Sequence, residues 1–436
     1  MMNQINHPHP YAPVRQQMRG VSSLIITIQN IMIFYVCLWA TSPILGYGLV
    51  FRVLAVIAVA IWAVLEMARP QGIFGRMTAP VLFVAVYIVY NITVESVLVG
   101  TDGLTVYLQV WIMLFLLVVY ESRRYNPATL APVFWGMLAT MPIWIIATYS
   151  SLSDGGEFNA RRLSRSSDFA REISEQGVGG FGLIYSIVLL LPILLVMLVR
   201  LRRFDFRSAP TLLRAIPYGV VGLIAINFVT ATILILKAGY SFAVVISLSA
   251  VAAAFFIKKR SAALIVIIPV IGVFLLYFGE GIMLTILEIL APIVEGTPYA
   301  RKVADIVDSL NAQSAVGTAG IRMERYVRSL TLFMENPIFG VFSREQIGKH
   351  SPFLDTLAQY GIVIGGIFIY LMLYLPVRMM KLLRNDFSLP FAVFVVVCLQ
   401  AMTNSVFAAF GVMLFIMFPA ACGMLREPTS RKTHRR

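Results

Sequence analysis

The sequence predicts an all-α polytopic membrane protein with about twelve transmembrane helices and a large outer loop of short helices. Three observations lead there. Hydrophobic residues make up 59% of the 436-residue chain and charged residues only 13%, about half the charged share of a soluble globule. The mean hydropathy is +0.83. The apolar residues are gathered in runs of about 20, the length that carries a helix across a bilayer core.

Taken in order, the chain begins with a polar tail, 1–20. No small-residue cleavage site ends the run that follows, so Val21–Ala40 reads as a retained span and not as a signal peptide. The further spans are Leu49–Met67, Ala79–Val97, Leu104–Tyr120, Leu130–Tyr149, Val178–Val199, Ala215–Leu236, Tyr240–Ile257, Ala262–Gly279, Pro352–Met380, Leu389–Met402 and Val406–Leu425. Leu389–Met402 is short for a full crossing and also suits one arm of a re-entrant hairpin with its neighbour. Residues 21–425 thus form one transmembrane domain, followed by a second polar tail, 426–436.

The formal charge of +14 is a topology signal. With the N-terminus in the cytoplasm, the inner segments hold 22 basic residues and the short outer connections hold two, Arg52 and Lys237. So strong an asymmetry orients the chain with both termini inside. It accounts for the charge without a nucleic-acid partner. Cys37, Cys398 and Cys422 stand singly in apolar runs, with neither a disulfide framework nor a metal-binding pair among them.

Eleven basic residues remain, in two long outer loops, 150–177 and 280–351. Loops of this length are usually functional or disordered. In the second, Val303, Ile306, Val307 and Leu310 recur at helical spacing opposite Arg301, Lys302, Asp305 and Asp308, which suits a helix on the membrane surface. Next, Met323, Val327, Leu330 and Met334 form an apolar stripe, and Asn336-Pro337 with Gly340 ends that helix. Arg322, Arg325 and Arg328 share its broad polar face; solvation of that face, with Glu324 pairing to Arg328, is the plainer reading.

In the first loop Arg161, Arg162 and Arg165 cluster without an acid among them. Guanidinium forks bind phosphate oxygens in a bidentate way, so a local pyrophosphate site is expected there. Neither loop is net positive, with four basic and five acidic residues in the first and seven of each in the second from Gly281 on. A polyanion surface is therefore not indicated. The outer acids form no DxD pair, and a lone histidine builds no histidine-rich metal site. The chemistry expected is metal-free and cofactor-free. His350, the only histidine outside the tails, precedes Ser351, a helix cap, and Pro352, a first-turn residue. It reads either as an interfacial histidine bonded to backbone or as a functional group.

Arg322 followed four residues on by Tyr326, then the turn ENPIFG (335–340), then His350-Ser351 before a glycine-rich span, resembles the membrane O-antigen ligase and polymerase superfamily. Tyr326 stands where tryptophan is commoner, and the turn continues with Val-Phe in place of a second glycine. The resemblance implies a GT-C-like bundle and a metal-independent, inverting glycosyltransferase. The donor would be an undecaprenyl-pyrophosphate-linked saccharide and the acceptor a sugar hydroxyl. His350 would act as general base or orient the acceptor. Arg322, with Arg162 chosen by its position in the loop and supported by Arg161, Arg165 and Arg325, would hold the leaving pyrophosphate. The field at the helix start after His350 would favour the neutral imidazole that a base requires, and could itself attract phosphate.

Other partners on this reading are membrane lipid and a chain-length regulator protein. The form of the residues after His350 favours a polymerase of repeat units, making O-antigen or exopolysaccharide on the periplasmic face of a bacterial inner membrane. The alternatives are an O-antigen ligase or protein O-oligosaccharyltransferase and, in another class, a transporter or lipid-linked-oligosaccharide flippase. A transporter would place ionisable groups near span centres, whereas Glu66, Glu95, Lys237 and Glu280 lie near span ends.

Overall fold

The computed structural model describes residues 23–69, 72–99, 104–154, 174–238, 240–256, 289, 291–293, 295–296, 300, 303–304, 317–383, 386–403 and 408–425. About 84% of it is helical, and no strand occurs among these residues. In chain order the principal helices are α1 (Ser23–Thr41), α2 (Leu49–Met67), α3 (Ala79–Val94), α4 (Leu104–Arg123), α5 (Ala131–Asp154) and α6 (Phe181–Val199). They continue as α7 (Gly219–Lys237), α8 (Ser241–Phe256), α9 (Gly317–Glu335), α10 (Pro352–Leu382) and α11 (Ser388–Thr403). The last, α12, runs as Ala408–Gly411, a π-helical stretch Val412–Met417 and Phe418–Gly423.

Among the described residues seven helices are long and apolar enough to cross a membrane, as a multi-pass membrane protein requires. Every span expected from the sequence coincides with a helix except Ala262–Gly279, which lies outside the described residues. The helix Ser388–Thr403 has 16 residues. The expected surface helix around Val303–Leu310 also falls almost wholly outside the described residues.

The bundle is built around α6. Its residues Leu183 through Met197 are all buried, and it packs on α7, α8, α11 and α12. A helix that is apolar on every side belongs at such a position. At the other extreme, α2 exposes Val50, Val53, Val56, Ile57 and Val64, a surface suited to lipid. Asn227 of α7 donates to Leu138 O of α5 at 2.9 Å, the helix-to-helix bond that its polarity within an apolar run suggests.

Buried acidic groups among the described residues lie near helix ends. At one end Glu66 accepts from Arg69 Nη1 at 2.6 Å and Gln29 Nε2 at 2.9 Å through Oε2, and from Ser122 Oγ at 2.8 Å and Ile73 N at 3.0 Å through Oε1. Arg123 donates to Gln29 Oε1 at 2.5 Å. Nearby in the sequence of the same helices, Glu121 accepts from Thr78 at 2.9 Å and Tyr374 at 2.8 Å. These bonds join the end of α2, the start of α3 and the ends of α4 and α10, so α2, α3 and α4 alternate in direction. The opposite end carries the candidate site.

Candidate functional site

The site is organised by a break in α10. Gly361 has φ 71° and ψ −175°, so the helix from Pro352 stops at Tyr360 and restarts at Ile362. The expected span Pro352–Met380 is present as α10, with this kink inside it. A break strands the carbonyls that the next turn would have bonded. Here the turn after α9 takes them up: Val341 N donates to Ala358 O and Phe342 N to Gln359 O, both at 2.9 Å, while Ile362 N donates to Pro337 O at 2.8 Å. Two left-handed glycines permit the fit. A Cβ on Gly361 would stand 2.0 Å from Ile338 O, and one on Gly340 (φ 71°) 2.4 Å from the carbonyl carbon of Gln359. The ENPIFG turn is thus the cap of the broken helix.

The His350 loop is the second component. Ser351 caps α10 by accepting from Leu354 N at 3.3 Å, with Pro352 in the first turn, as the sequence predicts. Its hydroxyl also donates to Ala401 O of α11 at 3.2 Å. Lys349 is left-handed at φ 60°, which helps turn three successive backbone N–H groups towards one point. The Asp355 carboxylate fills that nest: Ser351 N donates at 2.9 Å, and the N–H groups of His350 and Lys349 bond it too. The expectation that this helix start attracts phosphate is therefore corrected, because the chain supplies its own anion there. The same carboxylate offsets the helix-start field on which a neutral His350 was expected to depend.

Helix α9 is fastened to this loop. Ser329 Oγ donates to Asp355 at 2.6 Å and accepts from Gly348 N at 2.9 Å. A Cβ on Gly348 would come 2.2 Å from Arg325 O, so the two backbones touch. The structure therefore brings the Arg325 turn of α9 against the loop of His350, which is half-buried. The Arg325 side chain is itself exposed. Arg322 lies in α9 seven residues before Ser329, in the same helical register. Arg161, Arg162 and Arg165 lie outside the described residues.

Next to the loop opens a cleft of about 220 Å³ lined by Tyr107, Gln109, Arg344, Lys349, Thr356 and Gln359 among others; His350 is not among its lining residues. Arg344 lies over the Tyr107 ring, 5.6 Å from its centroid. Beneath, Glu95 is 1% exposed and begins the π-helical turn Glu95–Val99 that continues α3. Such turns recur at functional sites. Glu95 Oε1 is 3.2 Å from Tyr360 OH and accepts from Gln359 Nε2 at 3.3 Å. Tyr107 OH lies 3.0 Å from Gln359 Nε2 and 3.3 Å from Tyr360 OH. Neutral groups alone hold this buried carboxylate, and among the described residues it makes no ion pair.

No family model matches this chain, and no curated protein or solved structure does. Its chemistry has to be argued from the residues. A cleft with amides, a hydroxyl, an arginine, a lysine and aromatic rings suits a polyhydroxylated ligand carrying some negative charge. Sequence reading missed Glu95, Tyr107, Arg344, Lys349, Asp355 and Gln359. The available signal was the Gln-Tyr-Gly run at 359–361, two hydrogen-bonding residues placed directly before a glycine in an apolar helix.

Proposed function

We propose that this protein is a membrane glycosyltransferase that polymerises undecaprenyl-pyrophosphate-linked oligosaccharide repeat units into O-antigen or exopolysaccharide. It works on the periplasmic face of a bacterial inner membrane with both termini in the cytoplasm. The observation that carries this reading is that the arginine-bearing helix α9, the ENPIFG turn and the His350 loop, which are separate pieces in sequence, pack as one unit beside a polar cleft. The ionisable groups buried near helix ends, with none at mid-bundle among the described residues, favour a transferase over a transporter.

On this reading the acceptor's hydroxyl oxygen bonds to the donor's anomeric carbon as the bond from that carbon to the pyrophosphate oxygen breaks. The pyrophosphate leaves with the electron pair, and the configuration inverts. His350 orients the acceptor hydroxyl or takes its proton. Arg322 and Arg325 on α9, with Arg162, Arg161 and Arg165 of the first loop, offset the charge that grows on the leaving group. A glycosyl pyrophosphate is already activated, so these two tasks suffice without a metal or cofactor. The isoprenoid tail of the donor keeps the reaction at the bilayer.

The test is complementation of a deletion strain, with surface glycans resolved on gels. Loss of a polymerase leaves glycolipid capped by one repeat, whereas loss of a ligase leaves none attached. His350→Ala and Arg322→Ala proteins that reach the membrane at native levels are expected to give the single-repeat pattern. Full-length glycan from His350→Ala would remove His350 from the chemistry, and a strain indifferent to deletion would overturn the proposal.

A further inference from the structure

Helix α9 is amphipathic the wrong way round for a helix in water. Ser329 is buried against Gly348 and Asp355, and Tyr326 and Phe333 are half-buried on the same side. The apolar stripe of Val327, Leu330 and Met334 faces away, and Met334 is 70% exposed. At 3.6 residues per turn, this stripe is centred roughly 130° from Ser329 in one direction. Glu324, Arg328, Thr331 and Glu335, all exposed, are centred roughly 130° from it in the other. The helix therefore has three sides: one on protein, one apolar and one polar.

The apolar side continues beyond the helix. Ile338 and Phe339 in the capping turn are exposed, Phe339 by 67%. Ile362 N bonds to Pro337 O at 2.8 Å, and this joins the turn to the exposed Ile362 and Val363 of the membrane-crossing part of α10. Exposed apolar side chains thus recur from a transmembrane helix, over the turn, to one side of α9. Water on such a surface would be costly.

We infer that α9 and residues 337–339 lie in the boundary between lipid headgroups and acyl chains, with the Val327–Leu330–Met334 side and Phe339 in contact with lipid. The Glu324–Arg328–Thr331 side meets the aqueous headgroup layer, as in helices that lie flat on bilayers. The third side holds the His350 loop, so that loop and the cleft open at the membrane surface and not in bulk water. A substrate tethered to lipid reaches them sideways along the bilayer. The inference rests on packing and stands or falls apart from the transferase reading.

Spin labels test it. Single cysteines at Val327, Leu330, Met334 and Phe339 (Val327→Cys and so on), with Glu324→Cys, Arg328→Cys and Thr331→Cys as the polar set, are placed in a chain lacking Cys37, Cys398 and Cys422. The labelled protein is reconstituted into phosphatidylethanolamine–phosphatidylglycerol vesicles. Collision with oxygen, which concentrates in lipid, is expected to exceed collision with a water-soluble nickel complex several-fold at the apolar set and at Ile362→Cys. The order reverses at the polar set. Nickel dominance at the apolar set would overturn the inference. Low access to both reagents would overturn it too, since another part of the chain or a second copy would then cover the face. If the cysteine-free chain does not fold, Leu330→Trp and Arg328→Trp in the native background give the same answer through brominated lipids. Added quenching at 330 but not at 328 is expected, and equal quenching overturns it.

Discussion

Replacing Gly361 with alanine should unfasten the candidate site. At φ 71° and ψ −175° the backbone sits in a region populated almost only by glycine, and a side chain there costs about 1–3 kcal/mol. The new Cβ would also stand 2.0 Å from Ile338 O and 2.7 Å from Phe339 N, backbone atoms that cannot swing aside as a side chain tip would. Relief requires the turn to withdraw, and withdrawal breaks the three bonds from Val341, Phe342 and Ile362. At about 0.5–1.5 kcal/mol net for each, the combined cost comes to roughly 3–7 kcal/mol. Gly366, in the same glycine-rich stretch, has nothing within 4 Å of a built Cβ, so Gly366→Ala should be neutral or gain up to about 1 kcal/mol of helix propensity. Amide hydrogen exchange in nanodiscs, read by mass spectrometry over 337–343 and 356–363, is the assay. Gly361→Ala should raise exchange in both segments together and lower the unfolding midpoint, with Gly366→Ala unchanged. Equal protection in the two variants would refute the account of the turn as a cap on a broken helix.

Ser329→Ala removes one acceptor for Gly348 N and one donor to Asp355; a cost of about 1–3 kcal/mol is expected, seen as faster exchange at 345–350 while α1–α6 stay protected. Glu66→Ala leaves Arg69 buried without its carboxylate and Gln29, the partner of Arg123, without its acceptor, and breaking a buried ion pair from one side costs about 3–5 kcal/mol. Monodisperse yield in detergent should collapse for that variant, whereas the exposed Glu324→Ala should stay within about 0.5 kcal/mol of the parent.

Much of the scaffold could be read directly, because a bilayer imposes length and polarity on each span separately. The Ser351-Pro352 helix start and the Asn336-Pro337 stop were equally legible, being local chemistry. The break in α10 was not. Gly361, Gly365 and Gly366 look alike in an apolar run, and only Gly361 meets the backbone of Ile338, which arrives through a separate turn. The cleft was hidden for the same reason: Gln359 meets Tyr107 across a sequence separation of 252 and Glu95 across 264. Each of these residues, taken alone, is an ordinary polar group near the end of a span. The nest around Asp355 depends on a left-handed Lys349, a conformation that no local pattern announced.

Gln359 ties these parts into one device. Its carbonyl accepts from Phe342 N in the capping turn at 2.9 Å, and its amide reaches Tyr107 in the cleft wall and the buried Glu95. Two residues later the chain breaks at Gly361, which frees that carbonyl to serve the turn. A shift of the turn must therefore move Gln359, and a shift of Gln359 must disturb the only described groups that hold the buried Glu95 carboxylate. Residues joined through a shared partner do not contribute independently. The turn that a sequence reading treats as punctuation is in this way mechanically continuous with the cleft. That continuity explains why a segment with exposed side chains should be so closely constrained along its backbone.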